Sequence, residues 1–398
     1  MYYRDMDIKR LGDIAKISSG STPARNNQDF WNGDIPWVST GELSYGFVNE
    51  TREHVSLRAV HETSLKLLKP GTLLMAMYGQ GKTRGIVSRL NITATTNQAC
   101  ASIEIKKDEP SYVYYFLQFR YESIRKLSNG GSQENLSTEI IKKIKISLPP
   151  IAEQRKIAEI LSTQDRIIEL KTKLLEEKKR LKKYLCQMLL SGKRRIPGHA
   201  EPWKRKRLSD IAQRLTVKNT EQCNNVLTIS ASDGLVSQEA YFKKEVAGKD
   251  KSNYFLLLRD DYAYNRSSSS CNPYGAIKRL KKYSTGIVSP LYICFRMNTN
   301  LVDVNYVEFA FDSGVLNKEL DMVTQEGARN HGLLNIAVED FFNCRIELPS
   351  YDEQVKIAEI LQALYYSVTL LEKELEQENL KKKALMQQLL TGKIRVKV

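Results

Sequence analysis

The sequence predicts an α+β fold: two mixed α/β globular domains separated by two long antiparallel coiled-coil helices, arranged as a tandem duplication with pseudo-twofold symmetry. Three observations carry that expectation. The block "LPPIAEQRKIAEIL" from Leu148 returns as "LPSYDEQVKIAEIL" from Leu348, and the match runs without a gap to "QMLLSGKRRI" (Gln187–Ile196) and "QQLLTGKIRV" (Gln387–Val396). Of these 49 aligned positions 23 are identical, and self-similarity at one fixed offset marks a repeated architecture. A second pair precedes the blocks, "KRLGDIA" at Lys9–Ala15 and "KRLSDIA" at Lys206–Ala212. The stretches between them resemble each other far less and mix strand-like with helix-like runs. A chain of 398 residues is long enough for two domains with their own cores. The expected division is 1–147, a central helix at 148–196, 197–347, and a distal helix at 348–398.

In chain order, the first globular part contains the strand-like segments "GTLLMAMY", "ASIEIKK" and "IKISLPP", broken by Gly, Asn and Ser clusters. A helical candidate, Ser111–Leu127, lies among them. Leu-Pro at Leu148 then ends a strand or loop, and Glu153 sits where a helix N-terminus favours negative charge. Ile157, Leu161, Ile168, Leu175, Leu185 and Leu189 keep the register of a coiled-coil seam. Gly192 supplies the left-handed residue that closes the helix. The second globular part carries the strand-like "LYICFRM". In the distal helix Asp352 and Glu353 open the first turn, and Ile357, Leu361, Leu364, Val368, Leu371 and Leu375 form the seam before Gly392 closes it.

The two seams differ in chemistry. Gln164, Lys171 and Lys178 stand where the second copy has Leu364, Leu371 and Glu378. A homomeric zipper tolerates polar seam positions poorly, so each helix is expected to pair with the other copy, antiparallel as a twofold duplication requires. About 36 residues at 1.5 Å each give a rod of roughly 54 Å. The alternative is that each helix packs on its own globular domain. Leu361→Asp or Leu371→Asp is expected to break the pair while leaving the globular parts folded.

Lysine and arginine number 61 against 46 acidic residues, a net charge of +15 with a pI near 9.3. That surplus points to polyanionic partners, nucleic acid first. Hydrophobic residues at 41% exclude large-scale disorder. Six cysteines (Cys100, Cys186, Cys223, Cys271, Cys294, Cys344) and four histidines (His54, His61, His199, His331) are scattered without metal-ligand spacing. Free thiols in a reducing cytosol are expected. The charged start lacks the apolar core of a signal peptide, and no apolar run approaches the roughly 20 residues of a membrane span. The expectation is a cytoplasmic protein that contacts no membrane.

With the duplication, several segments resemble one family, the specificity (S) subunit of type I restriction–modification enzymes. They are "GSTPARNNQDFWNGDIPWVSTGEL" (Gly20–Leu43), "TTNQAC" (Thr95–Cys100), "GSQENLS" (Gly131–Ser137) and "TGIVSPLYICFRM" (Thr285–Met297). The resemblance implies two target-recognition domains, each reading one half of a split, asymmetric site in double-stranded DNA. It implies that the helices space those domains and dock two modification subunits. Those partners, not this chain, bind S-adenosylmethionine and methylate adenine. Restriction subunits, working with ATP and magnesium, join the larger complex. The chain itself is then non-catalytic and needs no cofactor.

"GQGKT" within Met75–Val87 looks like a nucleotide loop, but a phosphate-binding loop needs glycine at the position of Ala76. A DNA-contacting loop presenting Lys82, Thr83 and Arg84 fits better. "GIVSRL" (Gly85–Leu90) matches "GAIKRL" (Gly275–Leu280) at Gly, Arg and Leu, so "YNRSSSSCNPY" (Tyr264–Tyr274) is its equivalent, with Arg266, Ser268, Ser269, Asn272 and Tyr274 as contact candidates. "NPY" (Asn272–Tyr274) resembles the Asn-Pro-Pro-Tyr element of adenine methyltransferases but lacks the second proline, and no glycine-rich cofactor loop follows an early strand. Further candidates are Asn97 and Gln98, Gln133 and Asn135, and Arg329, Asn330 and His331, because Asn and Gln pair bidentately with adenine and Arg with guanine. Each can instead cap a turn, and each loop can be an ordinary solvated one. The linker Gly192–Arg207 carries seven lysines and arginines suited to tracking phosphate. The competing class is a coiled-coil scaffold that binds protein partners and whose charge is incidental. Salt-sensitive DNA binding separates the two.

Overall fold

The repeated Lys-Arg-Leu segments are latches. In the computed structural model, which describes all residues except 1–5, 80–81, 128–134, 221–222, 231–232, 243–250, 270–271, 325–333 and 398, Asp7–Arg10 pairs antiparallel with Lys145–Leu148. Lys204–Arg207 pairs in the same way with Arg345–Leu348. Each first strand turns at once into a four-residue helical turn, closed where Asp13 accepts from Arg10 N–H (3.0 Å) and Asp210 from Arg207 N–H (2.9 Å). The turns bury Leu11 and Ile14 in one case and Leu208 and Ile211 in the other. The start of each globular part is thereby tied to the strand that feeds its long helix.

The chain divides into two compact units, Met1–Lys173 with Lys373–Val398, and Leu174–Glu372. Both cuts fall inside the long helices, Ile151–Leu190 and Tyr351–Leu390. Each unit therefore holds one globular part, the start of one long helix and the end of the other.

In the first unit a five-stranded sheet runs Ala15–Ser19, Cys100–Ile105, Leu73–Ala76, Val87–Leu90, Phe47–Val48, antiparallel except for the last pair. Helix Pro110–Phe119 covers it, burying Tyr112 to Leu117. A smaller sheet orders Glu53–Val55, Ile35–Val38, Thr95–Thr96 over a core of Phe30, Trp37 and Val55. The second unit has a four-stranded sheet, Ala212–Leu215, Ile293–Met297, Tyr262–Asn265, Ala276–Arg279, the hairpin Leu227–Ser230/Gly234–Ser237, and an antiparallel pair of strands distant in sequence, Phe255–Leu258 with Thr285–Val288. The expected strands and the expected helix are all present; Ser111–Leu127 divides into Pro110–Phe119 and Tyr121–Arg125.

The long helices pair antiparallel within each unit. In the first, Gln164 Nε2 donates to Glu378 Oε2 (2.8 Å), and Lys171 Nζ reaches Glu378 and Glu374, both at 3.0 Å. Two of the three polar seam positions, Gln164 and Lys171, thus find partners on the other copy, and Glu378 is held below the usual carboxylate range by Gln164 and then Lys171. In the second unit Lys179 pairs with Glu372 at 2.6 Å, and Lys182 Nζ lies 4.2 Å from the Tyr365 ring.

Helix closure is duplicated too. Gly192 (φ 69°) and Gly392 (φ 70°) take the left-handed conformation, where Arg194 N–H donates to Met188 O and Ile394 N–H to Gln388 O. The turn then delivers an arginine to the first turn of the opposite helix. Arg195 Nε and Nη2 donate to Glu353 at 2.8 Å each, with Ile196 N–H adding 3.3 Å. Arg395 donates to Glu153 at 2.6–3.0 Å, with Val396 N–H adding 3.3 Å. Burial pushes the Glu353 carboxyl up, and the Arg195 and Ile196 hydrogen bonds more than offset it, leaving it below its ordinary range.

The seam is not all helix against helix. Ile157 and Leu161 lie in the core of the first globular part with Met386, Leu389 and Leu390. Ile357 and Leu361 lie in the second with Leu189 and Leu190. Pairing and packing on a globular domain are both present, in different stretches of the same helices. Leu361, 1% exposed, is therefore a core residue as well as a seam residue, whereas Leu371 and Leu375 are half-buried in the helix pair alone.

Candidate nucleic-acid interface

The GQGKT segment joins Leu73–Ala76 to Val87–Leu90, which lie antiparallel with Met75 opposite Val87. A phosphate-binding loop runs instead from a strand into a helix whose N-terminus faces the phosphate. This one is a hairpin loop. Its counterpart joins Tyr262–Asn265 to Ala276–Arg279, with Asn265 opposite Ala276. Both hairpins resume on a left-handed glycine, Gly85 (φ 85°) and Gly275 (φ 80°). At Gly275 a Cβ would also lie 2.3 Å from Asn265 O, so only glycine fits. The matched GIVSRL and GAIKRL are hairpin arms, and the loops before them are what differ.

The first unit brings three expected clusters together. Met77 N–H donates to Ala99 O (2.8 Å) and Leu136 N–H to Met77 O (2.9 Å), so Asn97 and Gln98, Asn135, and the loop that begins after Met77 share one end of the sheet. Lys82 and Gln98 are exposed; Thr83, Asn97 and Asn135 are half-buried. Asn97 Oδ1 accepts from Ala99 N–H (3.1 Å) and Gln98 accepts from the Thr22 hydroxyl, so both shape the turn as well as edging it. Of the three loop groups expected to face outward, Arg84 faces inward. It is 7% exposed, and its Nη2 donates to Arg125 O at 3.4 Å. Gln133 lies outside the described residues.

In the second unit Leu334 N–H donates to Arg266 O at 2.9 Å. Arg266 is half-buried, donating to Ile336 O (2.9 Å) and Leu291 O (3.1 Å), so its guanidinium ties down the loop base. Ser268 and Ser269 are exposed. Ser269 and Asn272 exchange backbone hydrogen bonds of 3.0 and 3.1 Å, pinching the loop. Tyr264 donates to Tyr274 O (2.7 Å) and Tyr274 to Asp321 (2.9 Å). Arg329, Asn330 and His331 lie outside the described residues.

The sequence reading missed the aromatic and basic groups beneath the first loop. Tyr121 donates to Lys82 O, Tyr45 stands edge-on to Tyr121 with centroids 5.9 Å apart, and the Arg125 guanidinium lies 5.4 Å from the Tyr121 ring. Only the helical pattern of Ser111–Leu127 pointed toward them. Among the described residues no group of three metal-ligating side chains occurs, and no helix is long and apolar enough to cross a membrane. Cys294 and Cys344 are buried free thiols, pushed up to about 12 and about 11 chiefly by burial.

The sequence model of the type I restriction modification DNA specificity domain matches residues 3–180. The chain is 27% identical to the type I restriction enzyme MjaVIII specificity subunit of Methanocaldococcus jannaschii, over 99% of this chain and 94% of that one. It is 32% identical to the MjaIX specificity subunit of the same organism over 43% of this chain, a match spanning 40% of that relative's length. Among solved structures, the S subunit of the type I restriction-modification system from M. genitalium superposes with a TM-score of 0.57 at 15% identity, covering 97% of this chain and 96% of that one, a likeness of fold. Residues 3–180 thus carry a type I restriction modification DNA specificity domain, and similarity to a type I specificity subunit extends over 99% of the chain.

Proposed function

We propose that this chain supplies the DNA sequence to a type I restriction–modification complex, its two globular parts each reading one half of a split, asymmetric site. The observation that carries the reading is the pair of hairpins with equivalent register whose second arms share Gly, Arg and Leu and whose loops differ. One scaffold presenting two chemistries suits two different half-sites. The first hairpin offers Lys82 and Thr83, with Asn97, Gln98 and Asn135 beside them; the second offers Ser268, Ser269, Asn272 and Tyr274. Arg84 and Arg266 support their loops from within.

The duplicated helix surface is the spacer and the docking face for two copies of one modification subunit, because a repeated surface fits the same partner twice. On this reading those partners bind S-adenosylmethionine and methylate adenine, and restriction subunits bring ATP- and magnesium-dependent cleavage. The chain contributes recognition and no catalytic residue. The test is co-expression with the modification subunit and genome-wide mapping of methylated adenine. One split, asymmetric motif modified on both strands supports the reading. A complex that assembles yet marks no motif leaves a partner-binding scaffold and overturns it. In the same complex Lys82→Ala is expected to weaken binding and lower the salt slope by about one unit. Arg84→Ala is expected to leave the slope where it was.

A further inference from the structure

Phe47 opens the two-residue strand Phe47–Val48 at the edge of the five-stranded sheet, beside Val87–Leu90. Strand alternation sends Val48 inward, 5% exposed, and leaves Phe47 53% exposed. An exposed ring is ordinary by itself; here its inner face is held. The guanidinium of Arg89, itself 7% exposed, lies 4.0 Å from the Phe47 ring and 4.3 Å from the Tyr114 ring. The equivalent arginine in the second unit, Arg279, pairs instead with Glu308 (2.7 Å) and Asp260 (3.4 Å). The stacked ring is thus a feature of the first unit.

Tyr45, two residues earlier and 43% exposed, is reached through Gly46 (φ 129°). It is braced edge-on by Tyr121, and Tyr121 is tied to the backbone of exposed Lys82. Both rings therefore have one side fixed and the other open, next to a loop that carries a cation. Groups already fixed lose little freedom on binding. The chemistry that fits is anionic outside and flat and apolar within, which describes duplex DNA: phosphates for Lys82, thymine methyls or a base step for the rings.

We infer that Tyr45 and Phe47 form an uncharged base-contacting platform beside the first hairpin, determining part of one half-site. This rests on the DNA-reading function proposed above. Because apolar contacts release no counterions, the platform acts on sequence preference and leaves the salt slope alone, unlike Lys82.

The experiment uses the full chain in complex with its modification subunit, bound to a pool of randomised duplexes, sequenced after selection and titrated at two salt concentrations. Phe47→Ala is expected to weaken the selected site about tenfold and broaden base preference in one half-site, with an unchanged salt slope. Phe47→Leu keeps an apolar cover over Arg89, so it is expected to retain the thermal unfolding temperature and still broaden the preference. If both variants keep native affinity and preference while Lys82→Ala flattens the slope, the platform is overturned and DNA reading stands. If none of the three changes binding, both readings fall. If Phe47→Ala loosens assembly with the modification subunit but spares DNA binding, the surface is a protein contact and the inference is overturned.

Discussion

In the first unit the middle of the helix pair is polar. Gln164 and Lys171 meet Glu378 and Glu374, while Asp165 accepts from Tyr115 (2.7 Å) and pairs with Lys382 (2.6 Å). In the second unit the buried part of the equivalent stretch is apolar: Leu364 and Val368 are buried, Lys182 rests on the face of Tyr365, and the ion pair Lys179–Glu372 lies at the exposed side. The ends of the pair show no such divergence. Glu153 with Arg395 and Glu353 with Arg195 are the same clasp made twice. The Gln164 amide and the Lys171 ammonium need acceptors, which Glu374 and Glu378 of the other copy supply, so the divergent middle selects the heterotypic partner. The duplicated ends hold each helix to its globular part. Identity was kept where the job is one frame built twice, and lost where a choice between partners has to be made.

The largest expected effect separates core from seam. Leu361→Asp puts a carboxylate into the second globular core and is expected to cost about 4 kcal/mol, unfolding that unit. Leu371→Asp, at a half-buried position in the helix pair, is expected to cost about 1–2 kcal/mol and leave both globular parts folded. Chemical unfolding followed by near-ultraviolet circular dichroism checks both, and equal losses would erase the distinction between seam and core. The clasps come next. Arg395→Ala leaves the buried Glu153 without its partner, at about 2 kcal/mol after discounting for the exposed side of the arginine. It is also expected to speed hydrogen exchange in the segment after Gly392. Arg195→Ala is expected to have a smaller effect after Gly192, because the following strand Lys204–Arg207 is held by its pairing with Arg345–Leu348.

The polar middle also carries a pH signature. Glu378 titrates below its ordinary range in the folded chain, so its contribution is present above the unfolded value of about 4.3 and is lost as pH falls through the lower folded value. Glu378→Gln is expected to flatten thermal stability between pH 5 and the acid transition (roughly pH 3) relative to the parent. An unchanged profile would remove Glu378 from the seam. At the position equivalent to Glu378 the second copy has Lys178, and its buried neighbours Leu364 and Val368 offer no acceptor, so the signature belongs to the first unit.

Much of this frame could be read from the residues because it is repeated. Seam, helix closures and latch strands all showed as matched pairs. What sat across space did not. The identity of Arg195 with Arg395 was visible, but its acceptor is 242 positions away in one case and 158 in the other. Heptad spacing identified the inward face of Leu361 without saying whether a helix or a globular core covers it. Arg84 looked like a presented group because a Gly-rich loop is normally solvated; its burial depends on Arg125, 41 residues on. Tyr45 and Phe47 carried no sequence signal, since exposure of an aromatic ring is settled by what packs behind it.

The smallest effect makes the comparison sharpest. Glu109 and Asp303 are equivalent helix caps, their N–H groups donating to Gln154 (3.0 Å) and Gln354 (2.9 Å). Six residues on, Tyr115 of the first unit therefore corresponds to Phe309 of the second. Exchanging the central residues is then not a symmetric operation. Tyr365→Asp places a carboxylate near Lys182 at a largely exposed site with no phenol to donate to it, and is expected to change stability by at most about 0.5 kcal/mol, less at high salt. Asp165→Tyr strands the buried Tyr115 hydroxyl and removes the partner of Lys382, at about 1–2 kcal/mol. Thermal unfolding of the two single variants at low and high salt measures the difference. Equal effects would mean that the polar middle is exchangeable decoration; the expected inequality means that Tyr115, Asp165 and Lys382 changed together, as one unit.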